Sequence, residues 1–292
     1  MTNELEGKLF LVTGATEGIG KFAAQDLLSR GATVAIVGRN KEKTERVAAE
    51  LQSKSGSDRL ETYLGDMSLL SGMLRVAAAF KAKHDRLDVL INNAGAVFTT
   101  YDLTADGIER TFALNHLGYF VLTTELMDLL VNAKGARVVS TSSGAHRMGK
   151  LDLDKVVKRD GKAGLPAYGD SKLANILFTR EIARRFGPKG VVANCVHPGW
   201  VNTGFALNNA KSVFAFAAAI FAPLFARTPA KGAETILWAA TSPEAASLNG
   251  EYLHDKKIAP TSPLAQDDDL ARRLWALSES LARPSSAASA AA

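Results

Sequence analysis

Cysteine is nearly absent from this sequence: Cys195 is the only one among 292 residues. A single cysteine excludes an intramolecular disulfide and a cysteine-rich metal site, and such usage is typical of a reducing compartment. Cys195 lies in the apolar run 191–196, which favours a buried structural thiol over a nucleophile. The five histidines include no pair four positions apart, so we predict no metal site.

Long apolar runs are also missing, since none reaches the length of a membrane-spanning helix. The nearest, Ser212–Ala226, has 15 residues and a proline near its end. Residues 1–8 are polar, and the apolar stretch after them is too short for a signal peptide. The net charge is +5, but the basic residues are dispersed and no aromatic residues interleave with them. We therefore expect a cytoplasmic protein without a nucleic-acid partner or a membrane span.

Short apolar runs alternate with longer helical patterns along most of the chain. The runs are apolar throughout, as in strands covered on both faces, and their alternation with helices predicts right-handed β-α-β units. The predicted class is α/β, a Rossmann-type doubly wound single parallel sheet with helices on both faces. Residues 1–282 are predicted to form one domain, and 283–292 a disordered tail. Two of the predicted helices, Gly107–Val131 and Ser171–Phe186, contain candidate site residues.

A glycine-rich turn follows the first predicted strand, Leu9–Thr13. It contains Gly14, Gly18 and Gly20, and the first predicted helix follows directly. Glycines permit a tight turn and a close approach of the backbone to a pyrophosphate, and the helix N-terminus attracts the anion. An ordinary strand-to-helix turn is the alternative, but three glycines within seven residues favour nucleotide binding.

The end of the second predicted strand indicates which dinucleotide is bound. Arg39 stands there, and no carboxylate precedes Glu42. An arginine at this place accommodates a 2′-phosphate, whereas Asp or Glu would bind a free ribose hydroxyl. We therefore predict NADP(H) as the cofactor, with NAD(H) less favoured. The alternative for Arg39 is a solvated surface charge.

Tyr168 and Lys172 are four positions apart, which places them on one face of a helix. A neighbouring cation lowers the pKa of a phenol, and a phenol tuned in this way can exchange a proton with a substrate oxygen. Many helices carry such a pair with no catalytic role, so the pair needs support from the rest of the chain.

That support comes from several further motifs, each after a predicted strand or in a long helix. They are Asn92-Asn93-Ala94-Gly95, Asn115, Ser142-Ser143 and His197-Pro198-Gly199. With the glycine turn and the Tyr168–Lys172 pair, they resemble the short-chain dehydrogenase/reductase family over nearly the whole chain. Segments 137–146 and 171–178 are similar to its retinol-dehydrogenase-like branch, and 197–200 and 250–257 to the dehydrogenase/reductase member 12 group within that branch.

The resemblance implies catalytic roles. Tyr168 would be the general acid/base, and Lys172 would lower its pKa and hold the nicotinamide ribose. Ser143, rather than Ser142, would hydrogen-bond the substrate carbonyl oxygen. Asn115 would anchor a water that relays protons to Lys172, or would only tie a neighbouring backbone group.

The resemblance also implies contacts with the cofactor and the substrate. Asp66 would meet the adenine amino group, or would cap the helix that follows. The predicted cofactor-binding residues are Gly14, Thr16, Glu17, Gly18, Ile19, Gly20, Arg39, Asp66, Met67, Asn93, Ala94, Gly95, Tyr168, Lys172, Pro198, Gly199, Val201 and Thr203. The predicted substrate contacts are His146, Trp200 and Phe205, although a structural histidine is the favoured alternative for His146.

Two segments are predicted beside the substrate. The Phe-rich segment 204–228 is predicted to be a lid over a lipophilic substrate; core packing, a subunit interface and a membrane-surface contact are the alternatives. Lys150–Pro166 lengthens the gap between Ser143 and Tyr168 to 25 positions, and we predict a polar surface excursion at the active-site mouth.

The predicted function is an NADP(H)-dependent oxidoreductase that interconverts a lipophilic ketone or aldehyde and its alcohol. A non-catalytic NADP(H)-binding scaffold or redox sensor is the alternative. A sugar-nucleotide epimerase or dehydratase is disfavoured, because the chain lacks the G-x-x-G-x-x-G turn and the larger C-terminal domain of those enzymes. Homo-oligomerisation and peripheral membrane contact stay open.

Overall fold

One eight-stranded sheet organises the protein, which a computed structural model describes at residues 3–199 and 227–283. The strands are β1 (Leu9–Thr13), β2 (Thr33–Gly38), β3 (Leu60–Leu64), β4 (Val89–Asn92), β5 (Arg137–Thr141), β6 (Val192–Val196), β7 (Tyr252–His254) and β8 (Lys257–Ile258). Their order is β3-β2-β1-β4-β5-β6-β7-β8, and every neighbouring pair is parallel except β7 with β8. The predicted Rossmann-type α/β class is confirmed, and the short antiparallel strand β8 adds to it an edge that the sequence pattern does not predict.

Helices cover both faces of the sheet in the described part of the chain. They are α1 (Gly18–Ser29), α2 (Lys41–Ser55), α3 (Leu70–Lys81), α4 (Arg110–Phe112), α5 (Gly118–Glu125), α6 (Met127–Asn132), α7 (Leu165–Phe186), α8 (Pro229–Thr241) and α9 (Asp268–Ala282). Successive side chains of a strand point to opposite faces. Phe10 and Val12 accordingly pack in one core cluster with α1 and α8, whereas Leu9 and Leu11 pack in another with α5 and α7. This two-sided burial explains why the strands are apolar throughout.

The strand order reverses direction at β1. The chain proceeds from β1 to β2 and β3 on one side, then returns to place β4 on the other side of β1. The connections after β1 and β4 diverge at their carboxyl ends, and parallel sheets bind ligands in the crevice that such a reversal opens. The glycine turn after β1 lies at this crevice.

Two helices differ from their predicted bounds. Helix α7 begins at Leu165 rather than Ser171, because Gly164 ends the preceding loop at a φ of +78° and Pro166 suits a first helical turn. The predicted helix Gly107–Val131 is interrupted by a π-helical turn, Ala113–Leu117, and by a break at Leu126. The earlier start of α7 matters because it includes Tyr168 in the helix.

The predicted lid, 204–228, falls largely on residues outside the described ones, as does the predicted tail after residue 283. Within residues 3–199 and 227–283, no helix is long and apolar enough to cross a membrane.

Candidate active site

The predicted catalytic side chains come together where the ends of β4 and β5 meet the first turns of α7. Tyr168 lies in the first turn of α7, and Lys172 follows one turn later. Ser143 is the second residue after β5 and caps a short 3₁₀ helix, Gly144–Met148. The Ser143 hydroxyl lies beside the Tyr168 phenol and favours its ionised form. Two hydroxyls and an ammonium group therefore meet at the carboxyl edge of the sheet.

Lys172 is almost completely buried, with 2% of its surface exposed. Its Nζ donates a hydrogen bond to the Thr141 carbonyl oxygen at 3.0 Å and lies 5.4 Å from the centroid of the Tyr168 ring. Burial lowers the pKa of Lys172 to about 8, because a charged group loses hydration there. The ammonium is still mostly protonated at pH 7, so a positive charge lies beside the Tyr168 phenol.

The pKa of Tyr168 is raised, although the neighbouring Lys172 charge alone would be expected to lower it. Burial raises the pKa of Tyr168 to about 12, and the hydrogen bond with Ser143 only partly opposes the rise. The loss of hydration disfavours the phenolate more than the hydrogen bond favours it. Tyr168 is therefore a neutral phenol at pH 7, which is the form that can donate a proton.

Ser142 and Ser143 have different surroundings although they are neighbours. Ser142 is 1% exposed, and its Oγ donates a hydrogen bond to the Lys172 carbonyl oxygen at 2.7 Å, which ties α7 to the end of β5. The Ser143 Oγ instead accepts the Ala145 N–H at 3.2 Å and meets the Tyr168 hydroxyl. The geometry thus leaves Ser143, rather than Ser142, as the hydroxyl beside Tyr168.

Asn115 lies fully buried in the π-helical turn, a feature often found at functional sites. Its side chain accepts the Ala96 N–H at 2.8 Å and donates to the Ala96 carbonyl oxygen at 2.9 Å and to Ser171 Oγ at 3.0 Å. The Ser171 hydroxyl in turn donates to the Tyr168 carbonyl oxygen at 2.8 Å. Asn115 therefore ties neighbouring backbone, the second of its two predicted roles, while the water relay stays a prediction.

The glycine turn is fastened to the end of β4. The Asn93 and Ala94 N–H groups donate to Thr13 Oγ1 at 2.9 and 3.0 Å, and the Asn93 side chain donates to the Thr13 carbonyl oxygen at 3.1 Å. A Cβ at Gly14 would lie 2.7 Å from Ala94 Cα, and one at Gly20 would lie 2.5 Å from the Gly14 oxygen. No side chain fits at either position without moving the backbone.

The first turn of α1 presents free backbone donors at this edge. Gly18 begins the helix with a φ of +56°, and Glu17, at the cap position, makes no side-chain capping bond. The Glu17 carboxylate instead pairs with Lys43 at 2.5 Å. Thr16 is half-buried, and Ile19 packs against the core.

Arg39 lies beyond the carboxyl end of β2 and is exposed. Neighbouring Asn40 caps α2, where its Oδ1 accepts the Lys43 N–H at 2.7 Å. Within the described part of the chain, the Arg39 guanidinium forms no hydrogen bond or ion pair. The cation is therefore available to a ligand at the edge that also holds the glycine turn.

Asp66 and Met67 follow β3. The Asp66 Oδ1 accepts the Ser68 N–H at 2.9 Å and the Ser68 hydroxyl at 2.7 Å, which closes a local turn before α3. The Leu70 N–H in the first turn of α3 is bound by Asp106 at 2.9 Å, so Asp66 is not the cap of that helix. Met67 is 5% exposed and packs in the core, so only its backbone could meet a cofactor.

The end of β4 reaches two of the predicted catalytic side chains. A Cβ at Gly95 would lie 3.1 Å from Asn115 Oδ1 and 3.4 Å from Lys172 Nζ. Pro198 is buried, and Gly199, at a φ of +82°, is the last residue described before the gap. Four further predicted contacts lie outside the described residues: Trp200, Val201, Thr203 and Phe205.

His146, predicted beside the substrate, instead lies fully buried behind Ser143. Its Nδ1 is 2.8 Å from the Ser143 carbonyl oxygen, and its Nε2 accepts the Ser262 N–H at 3.2 Å. Both ring nitrogens are engaged, so the imidazole is a structural group here. Its partner Ser262 is 116 positions away, which no local pattern could have indicated.

The segment Lys150–Pro166 is more than the predicted surface excursion. Leu151 and Val156 are 2% and 1% exposed and belong to the core. Asp170, between Tyr168 and Lys172 of α7, accepts the Lys150 and Leu151 N–H groups at 2.7 and 2.9 Å. Arg159 pairs with the same carboxylate at 2.5 Å, with side-chain exposures of 9% and 11%. The segment is thus anchored to α7, a role of Asp170 that the sequence did not indicate.

Replacing Arg159 with methionine should lower the free energy of unfolding by about 3 kcal/mol, because the Asp170 carboxylate would stay buried without its cation. Arg272→Met, at an exposed pair with Asp269 (52% and 68% exposed), should cost about 0.5 kcal/mol or less. Urea unfolding measures both variants. Equal losses would show that the Arg159–Asp170 pair does not hold the segment.

Cys195 is buried, and burial raises the pKa of its thiol to about 12, as expected for a structural cysteine. Among the residues that the structure describes, no group of three His, Cys, Asp or Glu side chains could hold a metal ion.

Comparison with known proteins agrees with this geometry. Residues 8–213 match the family model described as short chain dehydrogenase. The chain belongs to this family. Human retinol dehydrogenase 11 is 39% identical over 278 residues, which cover 95% of this chain and 86% of that protein. The predicted retinol-dehydrogenase-like branch is thereby confirmed, whereas the assignment to the member 12 group stays a prediction. The protein is an NAD(P)-dependent oxidoreductase of the class that acts on CH–OH donors.

Two solved structures show the same fold. An uncharacterized protein from Mycobacterium paratuberculosis superposes with a TM-score of 0.76 at 32% identity, covering 95% of this chain and 94% of that chain. A short chain dehydrogenase from Burkholderia cenocepacia, solved in complex with NADP, has a TM-score of 0.66 at 32% identity and covers 86% of this chain and 96% of that chain.

Proposed function

We propose that this member of the short-chain dehydrogenase family is an NADP(H)-dependent enzyme that interconverts a lipophilic ketone or aldehyde and its alcohol, with Tyr168 as general acid/base. The observation that carries the proposal is the position of the buried Lys172 Nζ, 5.4 Å from the centroid of the Tyr168 ring, with the Ser143 hydroxyl also beside the phenol. This group of three lies at the edge of the sheet that carries the glycine turn.

The chemistry follows from what each side chain can donate. A substrate carbonyl oxygen placed at the Ser143 and Tyr168 hydroxyls would accept a hydrogen bond from each, and both bonds strengthen as negative charge develops on that oxygen. Tyr168 is protonated at neutral pH and passes its proton to this oxygen during reduction. The Lys172 ammonium stabilises the phenolate that remains. When bound, the nicotinamide cofactor supplies or accepts the hydride.

The residues present fit such a cofactor. The turn after β1 excludes side chains at Gly14 and Gly20, so a pyrophosphate can approach the backbone there. The first N–H groups of α1 are not capped by the Glu17 side chain and point to the same place. Arg39 offers an exposed cation where a 2′-phosphate would lie, and the NADP bound to the Burkholderia relative supports this choice.

Arg39→Ala should raise the Michaelis constant for NADPH about 30-fold, because a charged hydrogen-bonded pair with the 2′-phosphate is lost. The Michaelis constant for NADH, which has no 2′-phosphate, should change little. Lys54→Ala, at the far end of α2, is the matched control for loss of one surface charge. Parallel effects on both cofactors, or no effect on NADPH, would refute the assignment of Arg39.

A lipophilic substrate is favoured by two observations. Human retinol dehydrogenase 11, by its name, acts on retinol, an alcohol with a long apolar chain. The segment 204–228 of this chain carries Phe205, Phe214, Phe216, Phe221 and Phe225 and follows the last described residues of the site. The cytoplasmic location and a peripheral membrane contact through this segment stay sequence-based predictions.

The deciding experiment is NADPH oxidation with a panel of aldehydes and ketones of increasing apolar length, retinaldehyde included. We expect kcat/KM to rise with apolar length. Turnover that falls with length would remove the lipophilic assignment, and no turnover on any carbonyl, together with tight NADPH binding, would favour a non-catalytic scaffold.

A further inference from the structure

His146 contributes nothing to the reacting groups directly, yet it contacts the residue that bears the Ser143 hydroxyl. Its side-chain Nδ1–H donates to the Ser143 carbonyl oxygen at 2.8 Å, and its backbone N–H donates to the same oxygen at 3.1 Å. Because the Ser262 N–H is a donor, the Nε2 that it meets at 3.2 Å must be the unprotonated nitrogen. The imidazole is thus the neutral Nδ1–H tautomer.

The surroundings keep the ring in this state and place. His146 is 0% exposed, and its ring packs edge-on against Tyr252 of β7 with a centroid distance of 4.9 Å. Burial lowers the pKa of His146, so a neutral ring is favoured at pH 7. The residue therefore connects Ser143, after β5, to the segment between β8 and α9.

The connection acts on the Ser143 hydroxyl through its backbone. Ser143 has an extended conformation (φ −159°, ψ 158°) as the cap of the 3₁₀ helix, and two hydrogen bonds to its carbonyl oxygen hold ψ. With the backbone held, the Oγ stays between the Ala145 N–H and the Tyr168 hydroxyl. Loss of the His146 side-chain bond would leave the Ser143 carbonyl held by the backbone N–H alone and would loosen the Ser143 hydroxyl beside Tyr168.

We propose that His146 is a positioning residue for the reaction: its imidazole bridges Ser143 and Ser262 and so holds the Ser143 hydroxyl in line with Tyr168. This inference rests on the proposed function, since it assigns Ser143 a hydrogen bond to the substrate oxygen. It also makes the C-terminal segment, which supplies Ser262 and Tyr252, part of the support of the site.

The kinetic test uses His146→Phe, which keeps an aromatic ring against Tyr252 but removes the two side-chain hydrogen bonds, at Nδ1 and Nε2. The second variant is His146→Asn, which restores a donor near the Nδ1 position. We expect His146→Phe to lower kcat about 30-fold through misalignment, with the NADPH Michaelis constant within about twofold of wild type. His146→Asn should recover most of the loss. His84→Phe is the matched control for replacing a hydrogen-bonded histidine by phenylalanine. The His84 ring is hydrogen-bonded to Glu61 on β3, at the opposite edge of the sheet.

A double-mutant cycle identifies the route of the effect. In a Ser143→Ala background, His146→Phe should have no further effect on kcat, because the hydroxyl it positions is gone. An unchanged loss of about 30-fold in that background, or an equal rise in the NADPH Michaelis constant, would overturn the proposal in favour of a general structural role.

A second measurement does not depend on turnover. In protein labelled with ¹⁵N-histidine, the signal that disappears in His146→Phe should show a protonated Nδ1 and an unprotonated Nε2, and the Ser262 amide should lose its protection from hydrogen exchange in that variant. A protonated Nε2 or an unchanged Ser262 amide would overturn the bridge. If wild-type protein reduces no carbonyl while these signals are as expected, the proposed function fails and the bridge stands.

Discussion

Tyr168→Phe should lower kcat for carbonyl reduction about 1,000-fold, because the phenol that protonates the substrate oxygen is removed while the ring remains. The NADPH dissociation constant should change little, because the pyrophosphate and 2′-phosphate contacts that we assign lie at the glycine turn and Arg39. Stopped-flow NADPH oxidation gives kcat, and titration of NADPH fluorescence gives the dissociation constant.

Tyr63→Phe is the control for the loss of one hydroxyl. Tyr63 lies on β3, where its hydroxyl donates to Glu61 at 2.9 Å, and its replacement should leave kcat within about twofold of wild type, as for most changes away from a site. Turnover by Tyr168→Phe at the wild-type rate would refute the assignment of Tyr168 as the proton donor.

Gly14→Ala should weaken NADPH binding about 100-fold, because a displacement of the order of 1 Å at a binding turn can cost that much. The new Cβ would lie 2.7 Å from Ala94 Cα, so the glycine turn and the end of β4 must move apart. Isothermal titration with NADPH measures the loss.

The control must share the backbone strain of Gly14, which has a φ of +66°. Gly107 has a φ of +75°, and a Cβ added there would meet no atom within 4 Å, so Gly107→Ala carries a similar strain without the contact. It should lower the free energy of unfolding by about 1 kcal/mol and leave NADPH affinity unchanged. Equal NADPH affinities for folded Gly14→Ala and wild type would show that the turn does not hold the cofactor.

Much of the fold could be predicted because it depends on short-range pattern. Apolar strands alternating with helices predict a parallel sheet, and the sheet is parallel from β3 to β7. The bounds of α7 were less predictable: Gly164 and Pro166 determine its start, yet Gly169, a poor helix former, obscures the helical pattern before Ser171.

The candidate site was predictable as a set of residues but not as a set of environments. Motifs identify Ser143, Tyr168 and Lys172, and the fold brings them together. The raised pKa of Tyr168 depends on how many atoms exclude water from its hydroxyl. The spacing of Tyr168 and Lys172 in the sequence does not indicate that burial.

Neighbouring residues in the sequence specify the strand and helix pattern and the glycine turn. They also identify the side chains that we propose to react. The burial of His146 behind Ser143, and the anchoring of 150–166 by Asp170, exist only in the folded protein. Hydration, charge separation and hydrogen-bond partners depend on distances between segments far apart in sequence, such as His146 and Ser262. The tertiary structure therefore decided which histidine and which carboxylate support the site, although the sequence had already indicated where its chemistry lies.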